Sequence, residues 1–163
     1  MKSDSSSMTV RFTLNGSAFR YEGPPLKRVL DVLREDCGLT AAKEGCGEGE
    51  CGACAILLDG ALANSCLLPV SLLEGRQVVT LEGYRDTAGF RVLRDAFESA
   101  DSVQCGFCTP GMILASQALL AKKPHPTEAE IREGLSGNLC RCTGYTMIVE
   151  AVQIAAREGE GLW

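Results

Sequence analysis

Several features that would indicate other functions are scarce in this sequence. The chain of 163 residues contains a single histidine, and aromatic residues make up only 6% of it. No apolar run approaches the roughly 20 residues needed to cross a bilayer. A net charge of −5 leaves no basic excess of the kind that neutralises nucleic-acid phosphates. The composition therefore indicates a globular protein with neither a membrane span nor a nucleic-acid partner.

The N-terminal segment gives no sign of export. Residues 1–8 are polar and rich in serine, and they lack the apolar stretch of a secretory signal. We expect them to form a disordered leader, and we expect the protein to be cytoplasmic. Nine cysteines are present in the chain. Because the cytosol keeps thiols reduced, this odd number favours metal ligands over a disulfide framework.

The first half of the chain shows a mixture of strand and helix patterns. Apolar and polar residues alternate from Val10 to Leu14, as in a half-buried strand, and Asn15–Gly16 is a hairpin turn signal. Apolar residues at helical spacing follow from Leu26 to Leu33, and Gly38 suits the left-handed end of a helix. Further strands are predicted at 55–58 and 78–81. This order predicts an α+β fold whose N-terminal part, residues 9–84, is a β-grasp, ferredoxin-like domain.

Helical patterns dominate the second half. Four helices are predicted, at 92–97, 109–120, 127–135 and about 145–157. Thr109–Pro110 is typical of an N-cap followed by the first helical residue, and Thr127 with Glu130 has the spacing of a capping box. These patterns predict a C-terminal four-helix bundle over residues 90–158. The domain boundary is expected between residues 83 and 89.

Four of the cysteines form a first group in the N-terminal half. They are Cys46, Cys51, Cys54 and Cys66. The C-x4-C-x2-C spacing with a later fourth cysteine is the plant-type 2Fe–2S signature. The glycines of Gly45–Cys54 allow a tight loop whose N–H groups can face cluster sulfurs. A structural zinc site is the alternative, since four thiolates also bind zinc, but the glycine-rich loop favours iron–sulfur.

A second group of four cysteines lies in the C-terminal half. They are Cys105, Cys108, Cys140 and Cys142. Each pair precedes a predicted helix, whose free N–H groups and partial positive charge favour an anionic cluster. By spacing alone, C-x2-C with C-x-C suits either zinc or iron–sulfur. The ninth cysteine, Cys37, has no unassigned partner, and we interpret it as a small structural residue.

Three segments carry a resemblance to a known family. They are Gly45–Cys54, Val103–Gly111 and Gly137–Tyr145. Together they resemble the small iron–sulfur subunit of the xanthine dehydrogenase family of molybdenum hydroxylases. The resemblance extends from about Thr9 to Arg157 and fills all eight ligand positions. It implies a ferredoxin-like domain and a four-helix-bundle domain, each holding one 2Fe–2S cluster.

The resemblance also implies partners and a direction of electron flow. A large partner subunit would hold molybdopterin, as the cytosine dinucleotide, and a third subunit would hold FAD. Electrons would pass singly from the molybdenum site through the two clusters towards FAD or another acceptor. By motif, Gln104 and Cys142 would lie closest to the pterin, although without the resemblance Gln104 would be interpreted as a solvated amide. This chain alone would not turn over substrate.

Other functions remain open at this stage. The chain could be a free-standing two-cluster ferredoxin or a zinc-stabilised interaction module. If it is a hydroxylase subunit, we favour a purine or a related N-heterocycle as the substrate of the complex. Complexes that oxidise aldehydes, N-heteroaromatics, aromatic acyl-CoA thioesters or carbon monoxide are alternatives.

Overall fold

The computed structural model describes residues 7–163. The predicted leader, residues 1–8, lies outside this range except for Ser7 and Met8, and Met8 opens the first strand. Throughout residues 7–163 no helix is long and apolar enough to cross a membrane. Over the same range the architecture is mixed α/β, with one five-stranded sheet and six α-helices.

The sheet consists of two hairpins joined by a central strand. The strands are β1 (Met8–Leu14), β2 (Ser17–Gly23), β3 (Ala55–Leu58), β4 (Ala61–Asn64) and β5 (Gln77–Val79). Strands β1 and β2 are antiparallel across Asn15–Gly16, where φ is 51° and 81°. Strand β5 runs parallel to β1 and antiparallel to β3, which gives the order β2-β1-β5-β3-β4. The hairpin at Asn15–Gly16 and the strand at 55–58 are therefore confirmed.

The helix predicted from Leu26 begins later and has a wider turn than expected. Helix α1 spans Val29–Asp31 and continues as a π-helical segment over Val32–Asp36. The Val29 N–H at the start of α1 donates to Leu68 O (2.8 Å). The residues before Val29 therefore run beside the segment that contains Leu68 and are not helical. Leu26 consequently lies outside the helix and is 78% exposed. Gly38 follows with a φ of 67°, as predicted.

The strand predicted at 78–81 is shorter than expected. Strand β5 ends at Val79, and helix α2 (Leu81–Tyr84) follows. Thr80 separates them because its N–H donates to the Asn15 side-chain oxygen (2.9 Å) and not to a neighbouring strand. This hydrogen bond to Asn15, in the turn of the N-terminal hairpin, thus ends strand β5 at Val79.

Four longer helices complete the fold. They are α3 (Ala88–Ser99), α4 (Thr109–Lys122), α5 (Glu128–Gly134) and α6 (Thr146–Glu158). The capping box of Thr127 and Glu130 is confirmed at the start of α5. The predicted N-cap at Thr109 is wrong by one residue, because Cys108 occupies that position and Thr109 is already helical.

Two apolar cores meet at the sheet. One lies between the sheet and α1, and the other lies among the helices. Helix α4 is the central element of the second core, with eight of its fourteen residues buried. It packs against β3 and β4 as well as against α2, α3 and α5. The helical half of the chain is therefore packed directly on the sheet.

Two candidate metal centres

Two thiols of the first group, Cys46 and Cys51, lie in the loop between the π-helical segment and β3. Cys46 and Cys51 are neighbours, since Cys46 N–H donates to Cys51 Sγ (3.4 Å). The main-chain N–H groups of Glu48 and Glu50 donate to Cys46 Sγ at 3.4 Å and 3.3 Å. These N–H groups, that of Glu48 foremost, lower the pKa of the Cys46 thiol to about 7. The loop therefore presents N–H groups to sulfur, which favours a thiolate ligand.

The other two thiols of this group are held by the β3–β4 hairpin. Cys54 immediately precedes β3, Cys66 follows β4, and both are buried. The hairpin pairs Ala55 with Asn64, which brings the two cysteines together at its open end. Burial first, and then the neighbouring Cys54, raise the pKa of the Cys66 thiol to about 11. Cys46 also acts on Cys66 electrostatically, so the two pairs of thiols in this half of the chain influence each other.

The second group of thiols gathers at the N-terminal ends of α4 and α6. Cys105 Sγ lies 3.5 Å from Cys142 Sγ. Cys108, at the N-cap of α4, is close enough to Cys140 for that thiol to influence its pKa. Burial and this neighbour raise the pKa of the Cys108 thiol to about 12. The structure therefore brings residues together from loops that are more than thirty positions apart in the chain.

Cys140 forms hydrogen bonds with two nearby residues, Thr143 and Tyr145. Burial alone would raise its pKa, but the hydroxyl and N–H of Thr143 outweigh it and lower the pKa of Cys140 to about 7. Thr143 Oγ1 donates to Cys140 Sγ (3.2 Å), and Cys140 N–H donates to the hydroxyl of Tyr145 (2.9 Å). Tyr145 has a φ of 71° directly before α6. Neither Thr143 nor Tyr145 was assigned a role from the sequence, although both belong to the segment 137–145.

The thiols are arranged in pairs. Among residues 7–163, no three or more His, Cys, Asp or Glu side chains are grouped as they would be around a single metal ion. The pairs are Cys46 with Cys51, Cys54 with Cys66, Cys105 with Cys142 and Cys108 with Cys140. In a four-cysteine 2Fe–2S cluster each iron takes two protein thiolates. Two such pairs in each half of the chain fit that donor set.

The remaining predicted residues lie where their side chains are partly or fully accessible. Gln104 is exposed beside the exposed Cys105, and Cys142 is also exposed. Cys37 is half-buried at the end of the π-helical segment, and burial raises its pKa. The charged groups that act on the Cys37 thiol are Asp36 and Lys27, and its structural role stays a prediction.

The two groups are connected by the main chain. Leu139 N–H donates to Cys51 O (2.9 Å), so a residue next to Cys140 is bonded directly to a cysteine of the first group. The buried amide of Asn138 donates to Gly52 O (3.2 Å) in the same place. Neither contact is predictable from local sequence patterns, because they join residues 86 or more positions apart.

Comparison with known proteins agrees with this arrangement. A family of 2Fe-2S iron-sulfur cluster binding domains matches residues 12–80, and a family of [2Fe-2S] binding domains matches residues 80–153. The nicotinate dehydrogenase small FeS subunit of Eubacterium barkeri is 48% identical over 148 residues, covering 91% of this chain and 94% of the relative. The xanthine dehydrogenase iron-sulfur-binding subunit of Escherichia coli is 46% identical over 151 residues, with 91% and 94% covered.

Solved structures show the same fold. A chain of quinoline 2-oxidoreductase from Pseudomonas putida 86 has a TM-score of 0.87 and 42% identity, covering 96% of this chain and 99% of its own. The aldehyde oxidoreductase of Desulfovibrio desulfuricans also has a TM-score of 0.87, with 39% identity. This chain matches 17% of that longer protein, so the same unit there is part of a larger polypeptide.

Two adjoining 2Fe–2S binding domains define an iron–sulfur protein of electron transfer. The identity over nearly the whole length is more specific. The chain belongs to the family of small iron–sulfur subunits of the xanthine dehydrogenase-type molybdenum hydroxylases. It is an electron-transfer subunit of an oxidoreductase complex.

Proposed function

We propose that this chain relays electrons one at a time from a molybdopterin-bearing large subunit, through two 2Fe–2S clusters, towards an acceptor such as FAD in a further subunit. The observation that carries the proposal is the pairing of eight thiols into two groups whose loops are in main-chain contact. Each group also has exposed thiols, namely Cys46 in the first, and Cys105 and Cys142 in the second. Each group can therefore face a different partner.

The ligand assignment follows from the pairs. The first cluster is held by Cys46, Cys51, Cys54 and Cys66, and the second by Cys105, Cys108, Cys140 and Cys142. A bound 2Fe–2S cluster supplies a one-electron carrier whose potential depends on hydrogen bonding and exposure. The N–H groups of Glu48 and Glu50 and the hydroxyl of Thr143 donate to sulfur, and in this way they stabilise added negative charge.

Exposed apolar side chains support a protein partner beside the second group. Val103, Phe107 and Leu139 are large, exposed and close in sequence to its four cysteines. Exposed apolar residues gathered around a functional site are typical of an interface. We assign this face to the large subunit, with Gln104 and Cys142 nearest the pterin, which is present as the cytosine dinucleotide.

A different face would serve the acceptor. Leu67 is exposed, and its side chain packs so closely over Gly49 that a Cβ there would lie 2.4 Å away. This apolar residue lies against the loop that carries Cys46. We assign this face to the FAD-bearing subunit.

The organisation of the chain is proposed on the same grounds. A ferredoxin-like domain of residues 9–84 would hold the first cluster. A four-helix bundle of α3 to α6, within residues 90–158, would hold the second. The assembled complex would be cytoplasmic.

The substrate of the complex is proposed to be a purine or another N-heterocycle. Relatives named for nicotinate and xanthine dehydrogenases share 48% and 46% identity with this chain, and quinoline 2-oxidoreductase is a structural neighbour. All three named compounds are nitrogen heterocycles. Substrate selection would be a property of the large subunit.

Purification together with the large subunit tests the relay. We expect a complex that contains molybdenum and, per copy of this chain, about four irons and four sulfides. Cys108→Ser should lose half of the iron and one of two paramagnetic signals, whereas the matched variant Cys37→Ser should keep both. A chain that purifies alone with both clusters would be a free carrier, and zinc in place of iron would contradict both functions.

A further inference from the structure

The two cluster-binding loops touch at a small, fully buried contact. Asn138 is only 3% exposed, and its side-chain amide donates to Gly52 O (3.2 Å), which also accepts from Ala55 N–H (3.1 Å). Gly52 lies between two cysteines of the first group, while Asn138 precedes Cys140 of the second by two residues. A single side chain thus bonds one loop to the other.

At two positions of this contact, Gly52 and Gly111, there is no room for a side chain. A Cβ on Gly52, where φ is 66°, would lie 2.4 Å from Asn138 Nδ2 and 2.6 Å from Gly137 O. A Cβ on Gly111, in the first turn of α4, would lie 2.4 Å from Gly52 O. The carbonyl of Gly52 is therefore held between Asn138 on one side and α4 on the other.

Next to this contact lies the direct main-chain bond between the groups. Leu139 N–H donates to Cys51 O at 2.9 Å. Leu139 follows Asn138, and Cys51 precedes Gly52, so the two hydrogen bonds join neighbouring residues on both loops. The two hydrogen bonds therefore anchor consecutive peptide units of the first loop to consecutive residues of the second, and loss of one leaves the loops joined there by the other alone.

We propose that Asn138 is a positioning residue for electron transfer between the clusters. Its amide fixes the Gly52 carbonyl, and through it the Cys51–Leu139 hydrogen bond and the separation of the two sites. One electron leaves the second site, which becomes oxidised, and reduces the first. This role rests on the proposed function, because it requires both clusters to be bound.

The test compares Asn138→Leu with the parent in the assembled complex. Leucine has the same branched arrangement of four heavy side-chain atoms but no donor, so the buried carbonyl loses one partner while the space stays filled. Two reduced clusters split each other's paramagnetic resonance signals, and this splitting falls steeply with separation. We expect Asn138→Leu to keep the full iron content and both individual signals, to lose much of the splitting, and to transfer electrons between the clusters severalfold more slowly.

Two further variants make the outcome decisive. Ser136→Ala is the matched control, since its hydroxyl donates to Glu133 O (2.7 Å) in the same loop without touching the first group. Gly111→Ala keeps Asn138 but presses on the Gly52 carbonyl, and it should reproduce the loss of splitting.

Each remaining outcome is informative. A lower melting temperature with parental splitting and rate would make Asn138 merely structural and would overturn the proposal. Loss of a cluster from Asn138→Leu would assign the residue to cluster retention, which also overturns it. Absence of both clusters from the parent would instead reject the relay function itself.

Discussion

Replacing Tyr145 by Phe should loosen the second group of thiols without removing a ligand. The hydroxyl of Tyr145 accepts a hydrogen bond from Cys140 N–H (2.9 Å). Tyr145 N–H also donates to Thr143 Oγ1 (3.3 Å), and that hydroxyl donates to Cys140 Sγ (3.2 Å). One side chain and its own peptide group therefore brace the loop that carries Cys140.

The size of the effect follows from the burial of these groups. A typical hydrogen bond contributes about 0.5–1.5 kcal/mol, and a fully buried donor left without a partner costs about 1–3 kcal/mol. Tyr145 and Cys140 are both half-buried, so water can reach part of the site. We expect Tyr145→Phe to lower the apparent free energy of unfolding by about 1 kcal/mol.

The same substitution should act on the second cluster specifically. The Cys140 N–H that loses its oxygen acceptor belongs to a proposed ligand residue and becomes free to turn towards a cluster sulfur, and hydrogen bonds to sulfur help to set the reduction potential. Because such a bond stabilises the more negative, reduced state, we expect the potential of the second cluster to rise. The potential of the first cluster should not change.

The assay combines urea unfolding with a redox titration followed by electron paramagnetic resonance. Tyr21→Phe is a matched control, because the Tyr21 hydroxyl donates to Pro24 O (3.1 Å) in the sheet half of the molecule. It should cost a similar amount of stability and leave both potentials alone. Equal effects of the two variants on the second potential, or no effect of Tyr145→Phe on either quantity, would refute the reasoning.

Three other predictions concern local features. Cys108→Ser should remove the cluster of the helical half and lower the unfolding midpoint of that half, since a metal centre stabilises a small core. An unchanged midpoint in denaturant would contradict this. Thr127→Ala removes the observed capping box and should cost about 1 kcal/mol in chemical denaturation, with no change in either cluster spectrum. Lys123 and then the Thr127 N–H lower the pKa of Glu130 from 4.5 to about 2. The stabilising contribution of ionised Glu130 is present above about pH 4.5 and is lost as the pH falls towards 2. Glu130→Gln should therefore reduce the slope of the unfolding free energy against pH in that window. High salt should make the difference between variant and parent smaller.

Local signals predicted the local features of this fold. Asn15–Gly16 forms the predicted turn because both residues tolerate a positive φ, and Thr127 with Glu130 forms the predicted capping box. The predicted start of α1 was wrong because a hydrogen bond to Leu68, far along the chain, determines where this helix begins. Contacts of this kind depend on which segments meet in space, and periodicity in one segment does not contain that information.

The candidate site likewise combines residues that local sequence patterns predict with residues that they do not. Sequence spacing selected eight cysteines as ligands because each loop carries a recognisable pattern, and the structure brings these eight together in four pairs. The supporting residues were not selected. Asn138 and Tyr145 are ordinary polar and aromatic residues in sequence, and they acquire a role only through Gly52 and Cys140, which they meet in the folded chain.

Strand β3 explains why the two centres keep a fixed geometry. Its residues form a short, continuous apolar run, because Ile56 faces the core of the sheet half and Leu57 faces the helical core. Cys54 immediately precedes this strand, and Cys108 immediately precedes α4, which packs on it. One cysteine of each group is therefore anchored to one of two elements in direct contact. A flexible linker would let the separation of the two proposed cluster sites vary, whereas the packing of α4 on β3, together with the Asn138–Gly52 hydrogen bond, would keep that separation constant.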